Sequence, residues 1–223
     1  MRYKIFFILA LIFLFSTVGT AADFEADTIK TSGGNLVITC IGHGTLMFTF
    51  NDQIIHVDPV TMFADYSLLP KADIILITHE HGDHLDTSAL EKIKQLNTKL
   101  VVTAKVAESL GEGIVMHNGD KQTVNGIEIL AVPAYNIVGK RDNGQPFHPQ
   151  GVGNGYVLTF GDKKVYVAGD TENIPEMAAL HDIYCAFLPM NLPYTMSPEM
   201  VAAAAKVIKP AILYPYHFGS TDT

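Results

Sequence analysis

Residues 74–86, Ile-Ile-Leu-Ile-Thr-His-Glu-His-Gly-Asp-His-Leu-Asp, constrain this chain more than any other stretch of it. The apolar opening has the pattern of a buried strand, and it runs straight into a loop crowded with histidines and carboxylates. A sheet that presents such a loop to a cleft can hold ligands rigidly. Imidazole together with carboxylate suits zinc, iron or manganese. His79 and His81 are spaced so that two side chains reach one ion from a tight turn, while Asp83 and His84 can point to a neighbouring ion. A merely solvated turn has no use for three histidines.

Two later strand ends repeat the arrangement. The apolar run 165–168 ends in Gly169-Asp170, and the run 212–216 ends in His217. Between these points short β-rich stretches alternate with a few helical patterns. The sequence predicts strands at 36–41, 45–50, 54–58, 74–78, 100–103, 127–132, 156–160, 164–168, 184–188 and 212–214, with helices at 87–96, 105–110, 174–180 and 197–208. The last helix has the clearest start, because Ser197 can cap it, Pro198 suits its first position and Glu199 suits its positive end. No low-complexity stretch or fixed-period repeat divides the chain, which favours one layered α/β domain.

Residues 5–15 form an unbroken apolar run behind Arg2 and Lys4, and small residues occupy much of 16–22. This reads as a secretory signal peptide cleaved near Ala21 or Ala22, leaving a folded domain at 23–223. The chain is then expected to be exported, periplasmic or secreted. An uncleaved segment would instead anchor it to a membrane, although the strongly apolar part is short for a span of about 20 residues. Removing 1–22 takes away two positive charges and no acid, so the formal charge falls from −8 to −10. That balance disfavours a nucleic-acid partner and leaves a small-molecule substrate as the expectation. Cys40 and Cys185 each lie in an apolar run and read as buried thiols, although an oxidising compartment would permit a disulfide.

With its motifs in this order, the chain resembles the metallo-β-lactamase superfamily. The signature His-x-His-x-Asp-His stands as His79-Glu80-His81-Gly82-Asp83-His84, the later aspartate as Asp170 and the terminal histidine as His217. Ile41-Gly42-His43-Gly44 and Val57-Asp58-Pro59 are similar to the branch of metal-dependent hydrolases that includes ascorbate-6-phosphate lactonase-like proteins. The resemblance implies a four-layer αββα sandwich with two divalent metal ions at one edge, zinc favoured over manganese or iron. It implies that His79 and His81 hold the first ion, that Asp83, His84 and His217 hold the second, and that Asp170 bridges both.

One ligand departs from the pattern. The family supplies a third histidine to the first ion in a Pro-Ala-x-His context, whereas this chain has Pro133-Ala134-Tyr135-Asn136. A neutral amide is a poorer zinc ligand than imidazole. His148, in the Gly- and Pro-rich stretch 145–153, is the expected replacement, with Asn136 as a weak ligand or a donor behind the ligands. His43 is expected to orient a ligand or contact substrate, and Asp58 to support the histidine loop. The reaction implied is hydrolysis of an ester, lactone, amide or phosphodiester by a hydroxide held at the two metals, with Asp83 orienting it and moving its proton. The departure at Asn136 also leaves open an alternative, a metal-binding or sensing protein of the same fold with little or no turnover.

Export gives a direct prediction. N-terminal sequencing of the protein recovered outside the cytoplasm should begin at Ala22 or Asp23, and an intact Met1 would contradict cleavage.

Overall fold

Period-two alternation of apolar side chains along short strands builds two sheets that pack face to face, as seen in a computed structural model that describes residues 24–219. The expected signal segment at 1–22 lies outside the described residues. The seven-stranded sheet runs in the order β1-β2-β3-β4-β5-β6-β7 and comprises Glu25–Thr31, Gly34–Gly42, Thr45–Phe50, Gln53–Val57, Ile74–Leu76, Lys99–Val102 and Ile114–Val115. The six-stranded sheet runs β13-β12-β11-β10-β9-β8, with β8 to β13 at Lys121–Val124, Ile127–Ala134, Gly153–Phe160, Lys163–Val167, Ile183–Pro189 and Ile212–Tyr216.

Each sheet begins as an antiparallel meander, β1 to β4 and β8 to β11, and continues with parallel strands. Parallel strands need crossovers. These carry α1 (Thr87–Ile93), α2 (Ala104–Leu110), a 3-10 helix (Pro175–Ala179) and α3 (Pro198–Ile208). The two halves of the chain therefore repeat one topology, although no sequence period marks it. The result is the expected αββα sandwich of two mixed sheets with helices outside.

Strand β5 shows how the layers form. Ile74 and Leu76 face the opposite sheet beside Phe48, Ile129 and Leu158. Ile75 and Ile77 face outward against Ala89, Leu90 and Ile93 of α1 and Val106 of α2. Both faces are buried, which is why the stretch reads as a continuous apolar run. On the other side, Val201, Ala204 and Ile208 of α3 cover Ala186 and Leu188 of β12. Cys40 and Cys185 both pack at the inter-sheet core as free thiols.

Asp86 caps α1 by accepting from the backbone of Ser88 and Ala89, and Ser197 caps α3 by accepting from Met200. Helix α1 stops at Ile93, short of the expected 96, because Lys94 turns extended and Gln95 and Thr98 close a turn. The expected helix at 174–180 is a 3-10 turn. Its buried residues Ile174, Met177 and Leu180 recur every third position, the period of that helix. Strands β1, β7 and β8 were absent from the sequence expectation; β1 is mostly solvent-facing and buries only Ile29. No helix among the described residues is long and apolar enough to cross a membrane.

The topology gathers the chemistry. Strands β2, β4 and β5 of one sheet, and β9, β11 and β13 of the other, end at the same edge of the sandwich, releasing His43, Asp58, His79, Asn136, Asp170 and His217 there. A crevice beyond the carboxyl ends of parallel strands is a favoured binding place. The sheets are stitched at this edge by His217 N–H to His43 O (3.0 Å), Asn154 N–H to Thr78 O (2.9 Å) and Tyr156 O–H to Ile77 O (2.9 Å).

His56, one strand residue before this edge, is fully buried beside Tyr66 and bonds only to Pro70 O (3.1 Å). Burial pulls it down to about 4 from the ordinary 6.5. The unfolded chain therefore takes up a proton first as pH falls, and stability is lost between about pH 6.5 and 4. Acid titrations followed by circular dichroism should show a loss smaller by on the order of 3 kcal/mol over that window in His56→Gln.

Candidate metal centre

Two clusters of ring nitrogens flank one carboxylate at the shared edge. In the first, His79 Nε2 lies 3.1 Å from His81 Nδ1, and His81 Nδ1 lies 3.2 Å from His148 Nε2. In the second, His84 Nε2 and His217 Nε2 are 3.0 Å apart, with Asp83 Oδ2 at 3.9 and 3.6 Å from them. Asp170 stands between. Its Oδ2 is 3.2 Å from His148 Nε2 and 3.9 Å from His79 Nε2, while its Oδ1 is 3.4 Å from His84 Nε2 and 3.3 Å from His217 Nε2.

The groups behind these atoms decide which nitrogens carry lone pairs. Asp58 Oδ2 accepts from Thr78 Oγ1 (2.6 Å) and from His84 Nδ1 (2.7 Å), and Asp58 Oδ1 accepts from Thr78 N–H (2.8 Å). Having donated its proton to Asp58, Thr78 Oγ1 accepts from His79 Nδ1 at 3.0 Å. On the far side, Asn136 Oδ1 accepts from both His148 Nδ1 (2.7 Å) and His148 N–H (2.8 Å). The Nδ1 atoms of His79, His84 and His148 are thereby engaged by these acceptors and each Nε2 is aimed inward, as metal-binding histidines require.

Electrostatics agrees. Burial pushes His79 well below its ordinary value, and His84 and His148 push it further despite Asp170. Burial and His148 lower His81. Both rings are therefore neutral, the form that binds metal. Burial alone would lower His84, but Asp170, Asp58 and Asp83 outweigh it and raise it to about 9. Their combined field favours a positive charge at this point. Burial opposes the charge on Asp170, yet the surrounding imidazoles hold it well below the usual carboxylate range. Lone pair facing lone pair, around a buried Asp170 Oδ1 that accepts no hydrogen bond, is the arrangement a divalent cation on each side would satisfy.

Backbone geometry keeps these groups in place. His43, Asp58 and His217 adopt left-handed conformations, with φ of 51°, 46° and 52°. Such strain persists only where surrounding contacts enforce it. Gly44 is needed for close approach, since a Cβ there would lie 2.8 Å from His84 Cε1. Gly169, at φ 64°, makes the turn that delivers Asp170. The His43 ring packs tilted against that of His217, their centroids 3.6 Å apart, and places its Nε2 3.2 Å from Asp83 Oδ2.

The structure thus brings His43, His79, His81, Asp83, His84, His148, Asp170 and His217 together, with Asp58 and Asn136 behind the rings. Asn136 turns its oxygen to His148. Sequence reasoning missed Glu172, whose carboxylate takes Asn136 Nδ2 (3.1 Å) and the backbone N–H groups of Ile137 (2.9 Å), Val138 (2.9 Å) and Gly139 (2.6 Å). Burial would raise it, but these hydrogen bonds outweigh burial and lower it. Its position two residues beyond Asp170 was the available signal. The centre opens into a cleft of about 440 Å³ walled by Arg141, Phe147, Asn191 and Tyr194.

A family model described as a beta-lactamase superfamily domain matches residues 37–217. The chain is 32% identical over 197 residues to a UPF0173 metal-dependent hydrolase of Solibacter usitatus, covering 82% of this chain and 85% of that one. It is similar to a crystal structure from Parabacteroides distasonis, named as a candidate metal-dependent hydrolase, at 50% identity and a TM-score of 0.86, over 89% of this chain and 90% of that chain. Igni18 from Ignicoccus hospitalis, described as a novel metallo hydrolase, is similar at 25% identity and a TM-score of 0.68, over 82% of each chain.

The Asn136–His148 contact is testable by chelator competition. Asn136→Ala should weaken one of two metal equivalents by about 10–100-fold, and His148→Ala should abolish it. Two ions retained by His148→Ala, with one lost in Asn136→Ala, would make the amide the ligand.

Proposed function

The chain belongs to the metallo-β-lactamase superfamily, in the UPF0173 family of metal-dependent hydrolases, and from that premise we propose that it binds two divalent ions and cleaves an ester or lactone in a small exported-compartment substrate. The observation that carries this reading is Asp170, whose two oxygens each face a separate histidine cluster. His79, His81 and His148 would hold one ion, His84, His217 and Asp83 the other, with Asp170 shared. Their nitrogen-rich donor set favours zinc over manganese or iron. Bound there, such ions activate water at neutral pH and polarise the bond to be cleaved.

The protein's own groups do the rest. Burial would raise Asp83, but the neighbouring His217 and His43 rings outweigh it, so Asp83 stays a carboxylate. It is half-exposed on the cleft side, where its carboxylate can take a proton from the attacking water and return it to the leaving group. His43 Nε2 lies within hydrogen-bond distance of that carboxylate at 3.2 Å. Asp58 fixes the His84 ring, and Asn136 fixes His148.

Among the bonds such a centre can cleave, amides and phosphodiesters remain within its chemistry. Ester or lactone is preferred because Gly42-His43-Gly44 and Val57-Asp58-Pro59 resemble the ascorbate-6-phosphate lactonase-like branch. The cleft volume suits a small molecule. Export rests on residues 1–22, and the acidic balance of the chain gives nucleic acid no basic surface. The binding-only alternative drew on the absent third histidine, and the place of His148 beside His79 and His81 favours the hydrolytic reading over it.

Elemental analysis of the purified protein should find about two metal equivalents per chain. Turnover on a panel of esters, lactones and phosphodiesters should vanish on chelation and fall about 10²–10⁴-fold in Asp83→Asn. Metal-free protein whose turnover is indifferent to chelator, to His79→Ala and to Asp83→Asn would overturn the proposal.

A further inference from the structure

Arg141 is the one arginine among the described residues; the other in the chain is Arg2. It lines the same cleft as Asp83, Asp170 and His217. The loop that carries it is fixed at both ends. Glu172 grips the backbone of 137–139, and Gly139 permits this because a Cβ there would lie 2.9 Å from Glu172 Oε1. Further along, Lys140 bridges to Pro146, Arg141 N–H donates to Gln145 O (2.8 Å), and Gly144 N–H donates to Arg141 O (2.8 Å).

The guanidinium is held but unpaired. It lies 5.3 Å from the Phe147 ring centroid and donates to Phe147 O at 3.3 Å. Phe147 is itself braced edge-on against Tyr194 at 5.0 Å. Among the described residues no carboxylate oxygen comes within 4.0 Å of Arg141, which is equally so for Lys30, Lys71, Lys99, Lys140, Lys206 and Lys209, but none of those lysines lines the cleft. In a chain of formal charge −8, a stacked arginine without a partner beside the reaction centre is a binding group waiting for an anion. Its planar fork matches an oxyanion in two directions at once.

We infer that Arg141 binds a carboxylate or phosphate group of the substrate, away from the bond that is cleaved. This rests on the hydrolytic reading above and narrows its substrate class to anionic esters or lactones. The overall acidity does not oppose it. The cleft carboxylates Asp83 and Asp170 face histidines, and two divalent ions would outweigh their charge, so the local field accepts an anion. Fixing the loop in advance limits what binding must order.

The test uses two esters that differ by one charge, 4-nitrophenyl hydrogen glutarate and its methyl ester, with metal-loaded full-length mature protein. The acid should be preferred about tenfold or more in kcat/KM, the preference should collapse in Arg141→Met, and Arg141→Lys should restore only part of it. A preference that survives Arg141→Met, or a wild type with none, overturns the inference. Failure of the metal-loaded wild type to cleave either ester counts against the hydrolytic reading, and Arg141 is then judged by calorimetry. Monomethyl glutarate or methyl phosphate should bind the wild type and bind Arg141→Met about tenfold more weakly, the tighter probe distinguishing carboxylate from phosphate. Equal binding to both proteins, or none to the wild type, overturns it.

Discussion

Asp170 is buried at the edge of the sandwich with imidazoles on both sides and without a hydrogen bond to one of its oxygens. A buried carboxylate costs several kcal/mol unless positive charge compensates it. Much of the architecture supplies the compensation. The parallel strands of both sheets end at one edge, so groups as far apart in sequence as His79 and His217 are delivered to opposite sides of the same carboxylate. Gly169 makes the turn that places Asp170, and Gly44 lets the rings of His84 and His217 close in.

A second set of contacts gives these groups their direction. Asp58 and Thr78 act on His84 and His79 from one sheet, while Asn136 acts on His148 from the other. Neither set touches the space where an ion would sit. Each determines which ring nitrogen is bare. Glu172 extends this support outward, because the carboxylate that holds Asn136 also clamps the loop bearing Arg141. Metal geometry and substrate recognition therefore share one anchor, and a change at Glu172 would disturb both.

How far the sequence was readable follows from what each residue does locally. His79, His81, Asp83 and His84 could be read because their spacing in one loop after an apolar strand is itself the signal. Asp170 and His217 were readable only as members of a set, since a lone acid or histidine at a strand end is common. His148 was reached by elimination, from a family pattern broken at Asn136 and a loop too rich in Gly and Pro for regular structure. Glu172 escaped notice because three of its four partners are backbone N–H groups, which leave no mark in side-chain pattern. The strands that were missed are short or solvent-facing, so they lack the alternation that burial imposes. The doubled topology was hidden for a related reason: a strand constrains apolar period but not residue identity, and two halves can share connectivity without sharing sequence.

The central claim is that Asp170 is shared by two metal ions, with His148 completing the first. Anomalous diffraction from crystals of the metal-loaded protein tests it most directly. Two peaks flanking Asp170 are expected, one about 2.0–2.2 Å from nitrogens of His79, His81 and His148, the other at similar distances from His84, His217 and Asp83. A single peak, or one ligated by Asn136 with His148 turned away, would contradict it.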